Sequence, residues 1–327
     1  MNSLLVGNKA ISPPVLLAPL AGITDLPFRN LVLRFGAGLV VSEMVASQEM
    51  VQQKPSARAR AELGAGSDST SVQIAGRDAY WMAECAKLCA GQGASIIDIN
   101  MGCPAKKVVG GYSGSALLKD PDHALRLIEA VVGAVDVPVT LKTRLGWDDT
   151  LLNAPQIAAS AEAAGVQMIT IHGRTRCQFY KGRADWTAIR AVKDAVDVPV
   201  VANGDICSAA DAASALRASG ADGVMVGRGV QGRPWLLADI ASRLFAGESP
   251  NVPYGAALIT MISEHYDAMI EFYGSELGAR VARKHLGWYM DDLAPPPDLR
   301  RAILTTPDPS TVAKLIEALP SEGSKAA

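Results

Sequence analysis

The sequence predicts an α/β fold, a (β/α)8 TIM barrel followed by a small C-terminal helical domain. Eight short apolar runs rich in β-branched residues recur along the first three quarters of the 327-residue chain. Their starts lie 24 to 41 residues apart, which fits a strand, a helix and two loops in each repeat. Eight such repeats favour a closed barrel over an open doubly wound sheet, which usually has fewer strands. The predicted strands are Val15–Ala18, Leu39–Ser42, Ser71–Ile74, Ile96–Ile99, Val137–Leu141, Met168–Ile171, Val198–Ala202 and Gly223–Val226.

The stretches around these strands support the same architecture. The strands are apolar on both faces, as expected where helices cover one face and a packed barrel interior covers the other. The segment Ala18–Asp25 after the first strand lacks the glycine fingerprint of dinucleotide-binding sheets. Helical spacing predicts helices between the strands at Asp78–Ala90, Pro121–Val135, Pro155–Ala164 and Ala209–Ala218.

The pattern changes after about Gly247. Amphipathic spacing predicts helices over Tyr254–Tyr273 and Gly278–Met290, and the run Ala294-Pro-Pro-Pro297 breaks the chain after them. We therefore expect a catalytic barrel over residues 1–247 and a helical domain over residues 248–327. Residues 251–327 hold seven basic and ten acidic side chains, so this part is not a basic arm.

Composition predicts a large buried core without disulfides. Hydrophobic residues make up 49% of the chain and charged residues 20%, as in ordinary globular proteins. Five scattered cysteines and the lack of an apolar run of membrane-spanning length predict a cytoplasmic protein with reduced thiols and no membrane attachment. A net charge of −2 excludes a broad electrostatic surface for nucleic acid. We also expect a monomer without a metal site.

Polar side chains follow the predicted strands, where active sites of such barrels lie. A purely structural barrel would not collect these groups, because a buried and unpaired polar group costs free energy. The strand ends read Ala18-Pro19, Glu43-Met44, Gln73, Asn100 to Cys103, Lys142 to Arg144, His172, Asn203 to Asp205 and Gly227-Arg228.

The loops after the last two strands predict a phosphate site. Such loops commonly bind phosphate in these barrels, through backbone N–H groups and a helix amino terminus. Glycines 204 and 227 allow close approach of the backbone, and Arg228 can pair with the anion. The simpler alternative is that Gly227-Arg228-Gly229 is an ordinary turn.

Lys142 and His172 end neighbouring strands and are expected to face each other across the barrel mouth. A cation at that place would stabilise the negative charge that gathers on a reduced flavin, and Gln73 could pair with the amide edge of the ring. The alternative, a lysine in solvent and a histidine bonded to backbone, is equally compatible with the sequence.

Cys103 lies just past the fourth strand, in a loop that continues into a glycine-rich segment. An ordinary thiol holds its proton at neutral pH, so a thiol over the barrel mouth is a candidate proton donor or nucleophile. Motifs for nucleotide hydrolysis, zinc proteolysis and serine acyl transfer are missing from the sequence, which favours redox chemistry.

Six motifs in this order resemble those of the tRNA-dihydrouridine synthases. Across the barrel, from about Pro14 to Leu236, they read Ala18-Pro-Leu-Ala-Gly-Ile-Thr-Asp25, Asn100-Met-Gly-Cys-Pro104, Lys142-Thr-Arg144, His172-Gly-Arg-Thr-Arg176, Asn203-Gly-Asp205 and Gly227-Arg-Gly229. The longer run that ends in Lys106-Lys107 is most similar to the DusB subgroup. The helical tail corresponds in position to the second domain of that family.

This resemblance implies a full set of roles. NADPH would reduce the flavin, hydride would pass from the flavin N5 to uracil C6, and Cys103 would protonate C5. Asn100 would bind the uracil edge, Arg144 and Arg174 neighbouring phosphates, and the helical domain the tRNA body. The DusB-like motifs favour position 17 of the D-loop as the uridine that would be reduced. The cofactor would be FMN, bound by Pro19, Leu20, Ala21, Gln73, Lys142, His172, Asn203, Gly204, Asp205, Gly227 and Arg228.

Two other functions stay open on the sequence. An FMN-dependent free-pyrimidine oxidoreductase, of the dihydroorotate or dihydropyrimidine dehydrogenase type, resembles this barrel, but its small substrate would not need the helical tail. A non-catalytic RNA-binding regulator would need neither Cys103 nor the cofactor residues. Fold alone does not choose between these functions.

Overall fold

Eight parallel strands close into a barrel in the computed structural model, which describes residues 3–320 apart from the side chains of residues 65–67. Each barrel strand pairs with the next along the chain, and β11 pairs with β3 to close the ring. The prediction of a (β/α)8 barrel is therefore confirmed. The strands, with three that lie outside the predicted set, are β1 (Leu4–Val6), β2 (Lys9–Ile11), β3 (Val15–Leu17), β4 (Leu39–Val41), β5 (Val45–Ala46), β6 (Thr70–Ala75), β7 (Ile96–Asn100), β8 (Val139–Arg144), β9 (Ile169–His172), β10 (Val200–Asn203) and β11 (Gly223–Val226).

The unpredicted strands are short. β1 and β2 form an antiparallel hairpin of three residues a side, and β5 is a two-residue extension beside β6. Segments of this length carry too little periodicity to be recognised in a sequence. The hairpin lies at the amino-terminal end of the barrel, where a Cβ on Gly223 would come within 3.1 Å of Leu4 Cδ1. That end is thus covered, and the opposite end is left for the site.

The helices between the strands agree with the predicted ones to within three residues at each end. Asp120 caps α6 by accepting a hydrogen bond from the His123 amide, and the helix ends at Val132, earlier than predicted. The helices are α1 (Leu26–Arg34), α2 (Ser47–Val51), α3 (Pro55–Ala61), α4 (Ala79–Gly91), α5 (Lys106–Gly110), α6 (Pro121–Val132), α7 (Ala154–Ala163), α8 (Arg190–Lys193), α9 (Ala209–Ser219), α10 (Leu236–Leu244), α11 (Ala256–Tyr273), α12 (Ser275–Leu293), α13 (Pro297–Thr305) and α14 (Pro309–Glu317).

Successive side chains of the barrel strands point alternately inward and outward, and they form two apolar layers. In β3, Leu16 joins a cluster inside the barrel, whereas Val15 and Leu17 pack outward against the helices. The inner cluster also holds Met168 and Met225. These bulky side chains fill the barrel interior, so a ligand would bind at a mouth of the barrel rather than inside it.

Within residues 256–320, the four helices α11 to α14 share a second apolar core. Buried side chains of α11, α12 and α14, such as Met269, Leu286 and Ile316, form it together with Leu31 and Trp235 from the barrel side. The predicted break at the proline run is confirmed, since α12 ends at Leu293 and α13 begins at Pro297. The predicted boundary at residue 247 falls between α10 and α11, and the division into two domains stays a prediction. Residues 321–327 of the predicted helical domain lie outside the described residues.

Within residues 3–320, none of the helices combines the length and the apolar character needed to cross a membrane.

Two leucines of α12 provide a test of the helical core. Leu286 is 2% exposed and Leu277 is 43% exposed. We expect Leu286→Ala to lower the free energy of unfolding by about 2–5 kcal/mol, because it removes a buried side chain and leaves a cavity. Leu277→Ala should change it by less than about 0.5 kcal/mol, as exposed substitutions usually do. Urea unfolding followed by circular dichroism measures both, and equal losses would contradict this packing.

Candidate active site

A cavity of about 890 Å³ opens at the carboxyl ends of the barrel strands. Every site residue predicted from the sequence lines it except Arg174. The sequence reasoning missed other lining residues, of which the most prominent are the exposed aromatic pair Phe179 and Tyr180 and the thiol of Cys207. The sequence did contain a signal for the aromatic pair, because both residues lie in the arginine-rich loop after β9. Aromatic rings in an exposed loop often mark a binding surface.

Strand register brings the predicted polar residues side by side. Asn100 of β7 pairs with Lys142 of β8, Arg144 of β8 pairs with His172 of β9, and His172 pairs in turn with Asn203 of β10. Because parallel strands in register end at the same level, these side chains reach the same mouth. The predicted neighbourhood of Lys142 and His172 is therefore found in the structure.

Gln73 is held by a buried hydrogen-bond chain. Asn100 Nδ2 donates to Gln73 Oε1 at 2.7 Å, and Gln73 Nε2 donates to Asp98 Oδ2 at 2.7 Å. Thr140 Oγ1 donates to the other oxygen of Asp98 at 2.6 Å. Burial raises the pKa of Asp98 to about 6, against the opposing effect of these two hydrogen bonds. Asp98 was missed, although a carboxylate inside an apolar strand is itself a signal.

Lys142 is a half-buried cation of the site. Its Nζ donates to Asn203 Oδ1 at 3.1 Å, and Asn203 Nδ2 donates to the Met225 carbonyl at 2.8 Å. Burial, and secondarily the nearby Arg144 guanidinium, lowers the pKa of Lys142 to about 8. At neutral pH the ammonium therefore stays charged.

His172 is neutral beside this cation. Burial, with further contributions from Arg144 and Lys142, holds its pKa well below the usual value. A Cβ on Gly204 would come within 3.1 Å of the His172 ring, so only glycine fits here, and Gly204 also has a φ of +116°. His172 can thus serve as a hydrogen-bonding group, while Lys142 supplies the charge.

The backbone around Cys103 is fixed on three sides. Asn100 Oδ1 accepts hydrogen bonds from the amides of Gly102 at 3.2 Å and Cys103 at 3.0 Å. The Cys103 carbonyl accepts from the Ser115 amide and hydroxyl, and Arg144 Nε donates to the Gly102 carbonyl at 2.8 Å. Asn100 and Arg144, predicted to contact substrate, line the cavity and also position the half-buried thiol loop.

Arg174 lies behind the cavity wall and differs from the prediction that it contacts phosphate. It is 1% exposed, and its guanidinium donates to both carboxylate oxygens of Asp205, at 2.9 and 2.6 Å. Burial has the largest single effect on Asp205 and would raise its pKa. The hydrogen bonds from Arg174 and from the Ala184 amide, together with the charges of Arg174 and Arg228, outweigh it, so the pKa is lowered. The paired arginine stabilises the loop after β10 and offers no surface for a tRNA phosphate in this arrangement.

The other side of the mouth suits an anion. The Arg228 side chain is 55% exposed, and its Nη2 lies 3.5 Å from Asp205 Oδ1. The Arg228 guanidinium lies 5.1 Å from the centroid of the Tyr180 ring. Next to it, Gly227 leads into a short helical turn over Arg228–Val230. Together with Lys142 and neutral His172, these donors fit a ligand that carries both a phosphate and a polar aromatic ring. The residues present therefore fit the predicted FMN.

Comparison with known proteins agrees with the sequence motifs. The model of the family "Dihydrouridine synthase (Dus)" matches residues 16–322. A "Probable tRNA-dihydrouridine synthase" of Rhodobacter capsulatus is 65% identical over 95% of this chain and 96% of its own length. One of Rhizobium leguminosarum bv. phaseoli is 57% identical over 91% and 92%, and "tRNA-dihydrouridine synthase B" of Vibrio vulnificus is 47% identical over 90% and 92%.

A solved structure supports the architecture alone. Histamine dehydrogenase from Rhizobium sp. 4-9 superimposes with a TM-score of 0.57 at 13% identity over 81% of this chain. The chain spans 50% of the length of that dehydrogenase. Such a likeness shows a shared fold and says nothing of the reaction.

The resemblance read from the six motifs is thus confirmed, DusB-like features included, and it implies an oxidoreductase with a flavin cofactor and a tRNA substrate. The family model covers nearly the whole chain, barrel and helical tail together. This protein belongs to the dihydrouridine synthase family.

Proposed function

We propose that this protein reduces the C5=C6 bond of a D-loop uridine in tRNA, with FMN as its cofactor and NADPH as the reductant. The observation that carries the proposal is the meeting of Cys103, Lys142, His172 and Arg228 at one barrel mouth. A thiol, a half-buried cation, a neutral imidazole and an exposed guanidinium are the groups that protonation, charge stabilisation and phosphate binding require. The names of the relatives support tRNA rather than a free pyrimidine as substrate.

Three parts of the mouth would hold FMN. Gly204, Gly227 and Arg228 offer donors for its phosphate, and Pro19 to Ala21 form an adjacent wall. Lys142 and His172 would contact the polar edge of the ring, where Lys142 stabilises negative charge. When bound, FMN supplies the hydride that uracil C6 accepts. Gln73, Asn203 and Asp205 complete the predicted cofactor set.

Cys103 is proposed as the proton donor to C5. Its backbone is pinned by Asn100, Ser115 and Arg144, so the thiol is held at the cavity rather than on a loose loop. Pre-positioning of this kind lowers the entropic cost of proton transfer. Asn100 is also the proposed contact for the uracil edge, and Arg144 for a nearby phosphate.

The uridine must leave the folded tRNA before it can enter the cavity. Turning a nucleotide out of its stack costs a few kcal/mol, which contacts in the pocket offset. The C-terminal helices would bind the tRNA body by shape and scattered cations, since their sequence is net acidic. This role, like a cytoplasmic location, is part of the proposal.

A direct test begins with the visible spectrum of the purified protein. We expect a yellow protein that forms dihydrouridine in unmodified tRNA when NADPH is added. Reduction of free pyrimidines alone would contradict the proposal in favour of a pyrimidine dehydrogenase, and a colourless protein that only binds tRNA would contradict catalysis.

Substitution of Cys103 separates the two half-reactions. We expect Cys103→Ala to slow dihydrouridine formation by roughly 10²- to 10⁴-fold, the usual worth of a positioned general acid. The rate at which NADPH reduces the bound flavin should be unchanged, because no thiol takes part in that step. It is measured as the loss of flavin absorbance near the visible maximum. Cys207→Ala is the matched control, since Cys207 also lines the cavity. Equal activity of the two variants would exclude the proton-donor role.

Lys142 predicts a pH dependence. Because the pKa of Lys142 is lowered to about 8, its charge is present below that pH and is lost as the pH rises through it. We expect the rate of flavin reduction by NADPH to fall above pH 8, toward a loss of roughly 100-fold. The Lys142→Met variant should reduce its flavin slowly at all pH values and show no fall in rate near pH 8. In the Lys142→Arg variant the fall in rate should move to higher pH. A step near pH 8 that persists in Lys142→Met would assign it to another group.

A further inference from the structure

The loop between β3 and α1 forms one wall of the cavity. Pro19, Leu20, Ala21 and Ile23 line the cavity from this loop. Its internal hydrogen bonds all join Leu20 to residues 23 and 24. The Leu20 amide donates to Thr24 Oγ1 at 2.8 Å, and the Leu20 carbonyl accepts from the Ile23 and Thr24 amides at 3.0 Å and from Thr24 Oγ1 at 3.3 Å. These bonds close one turn but do not involve the peptide groups of the glycine at its tip.

Two charged side chains hold that tip, Gly22, from opposite directions. Its N–H donates to Glu43 Oε1 at 2.5 Å, and its carbonyl accepts from Lys284 Nζ at 2.5 Å. Hydrogen bonds with one charged partner are shorter and stronger than neutral ones. Glu43 follows β4 of the barrel, whereas Lys284 belongs to α12 of the helical part, so the tip joins the two.

The conformation of Gly22 is fitted to the lysine. Its φ is +70°, and a Cβ at this position would lie 2.9 Å from Lys284 Nζ. A side chain would therefore be strained and would displace the ammonium. Glycine at this position thus suits the contact between the Lys284 ammonium and the loop.

A second tie joins the same two parts of the protein. Tyr273 at the end of α11 donates its hydroxyl to Asp25 Oδ2 at 3.0 Å. Asp25 is 1% exposed, and its other oxygen accepts from the Phe28 amide at 3.0 Å, which caps α1. The loop is thus fixed by one side chain from each of the helices α11 and α12.

We infer that Lys284 is a positioning residue for the cofactor site, because its bond to Gly22 holds the cavity wall formed by residues 19–23 in place from the C-terminal helices. Tyr273 supports the same wall through Asp25. The inference rests on the proposed function, in which this wall contacts FMN. The C-terminal helices then complete the cofactor site in addition to any contact they make with tRNA.

The test compares Lys284→Met, which keeps the aliphatic stem but removes the donor, with Lys284→Arg, which keeps a donor. Arg280→Met is the matched control, because Arg280 is exposed on the same helix and, within residues 3–320, has no recorded hydrogen bond to the loop. Tyr273→Phe removes the second tie while keeping the ring. Two quantities are measured: hydrogen exchange of the peptide that covers residues 19–25, and the affinity of flavin-stripped protein for FMN by fluorescence quenching.

We expect Lys284→Met to speed exchange of the loop amides and to weaken FMN binding by roughly 3- to 10-fold, between the effects of a buried charged hydrogen bond and a surface ion pair. Tyr273→Phe should also speed exchange of the loop amides and weaken FMN binding. Lys284→Arg should keep the exchange rate and the FMN affinity near those of the wild-type protein. Arg280→Met should change neither quantity. If Lys284 acts only as a cation for tRNA, Lys284→Met and Arg280→Met will weaken tRNA binding equally with no change in the loop.

Unchanged exchange in Lys284→Met would overturn the inference, and so would faster exchange with unaltered FMN affinity. If the stripped wild-type protein does not take up FMN at all, the proposed function fails instead. The exchange measurement still decides in that case whether Lys284 holds the loop.

Discussion

The closed parallel register of the barrel is the constraint on which the site depends. Hydrogen bonding between neighbouring strands sets Asn100 beside Lys142 and His172 beside Asn203, with no freedom to slide because the ring closes through β3 and β11. A shift of one residue would turn each of these side chains to the other face of the sheet. The backbone pairing of the strands therefore sets the relative positions of the polar side chains at the mouth.

Charge at the mouth is arranged for an anion. Lys142, Arg144 and Arg228 all line the cavity, together with the carboxylate of Asp205. Burial is the main cause of the lowered pKa of Lys142, and the charge of nearby Arg144 lowers it further. An anionic ligand among these cations would reduce their mutual repulsion and favour the charged form of Lys142.

Much of this arrangement could be read from the sequence, because it follows from periodicity and from the rule that strands of such barrels end at the site. All eight barrel strands were predicted, and fourteen of the fifteen site residues expected from the strand ends and motifs line the cavity. The pairing of Arg174 with Asp205 could not be read from the sequence, because the two residues are 31 positions apart and meet only when two loops fold together. The bond from Lys284 to Gly22, 262 residues apart, was invisible for the same reason.

The Gln73 chain shows a subtler limit. Gln73 was correctly placed at the mouth, but both ends of its amide are engaged, by Asn100 and by Asp98. A sequence gives the position of a side chain along a strand, whereas the number of its hydrogen-bonding groups left for a ligand depends on neighbours from other strands.

The burial of Arg174 has a consequence for how the protein recognises RNA. A guanidinium that neutralises an internal carboxylate displaces no counterions from a phosphate backbone. The whole chain holds 31 lysines and arginines against 33 acidic side chains, so its cations are balanced by acidic groups. Arg174 therefore adds nothing to the dependence of tRNA binding on ionic strength, which is set by the exposed lysines and arginines that contact phosphates.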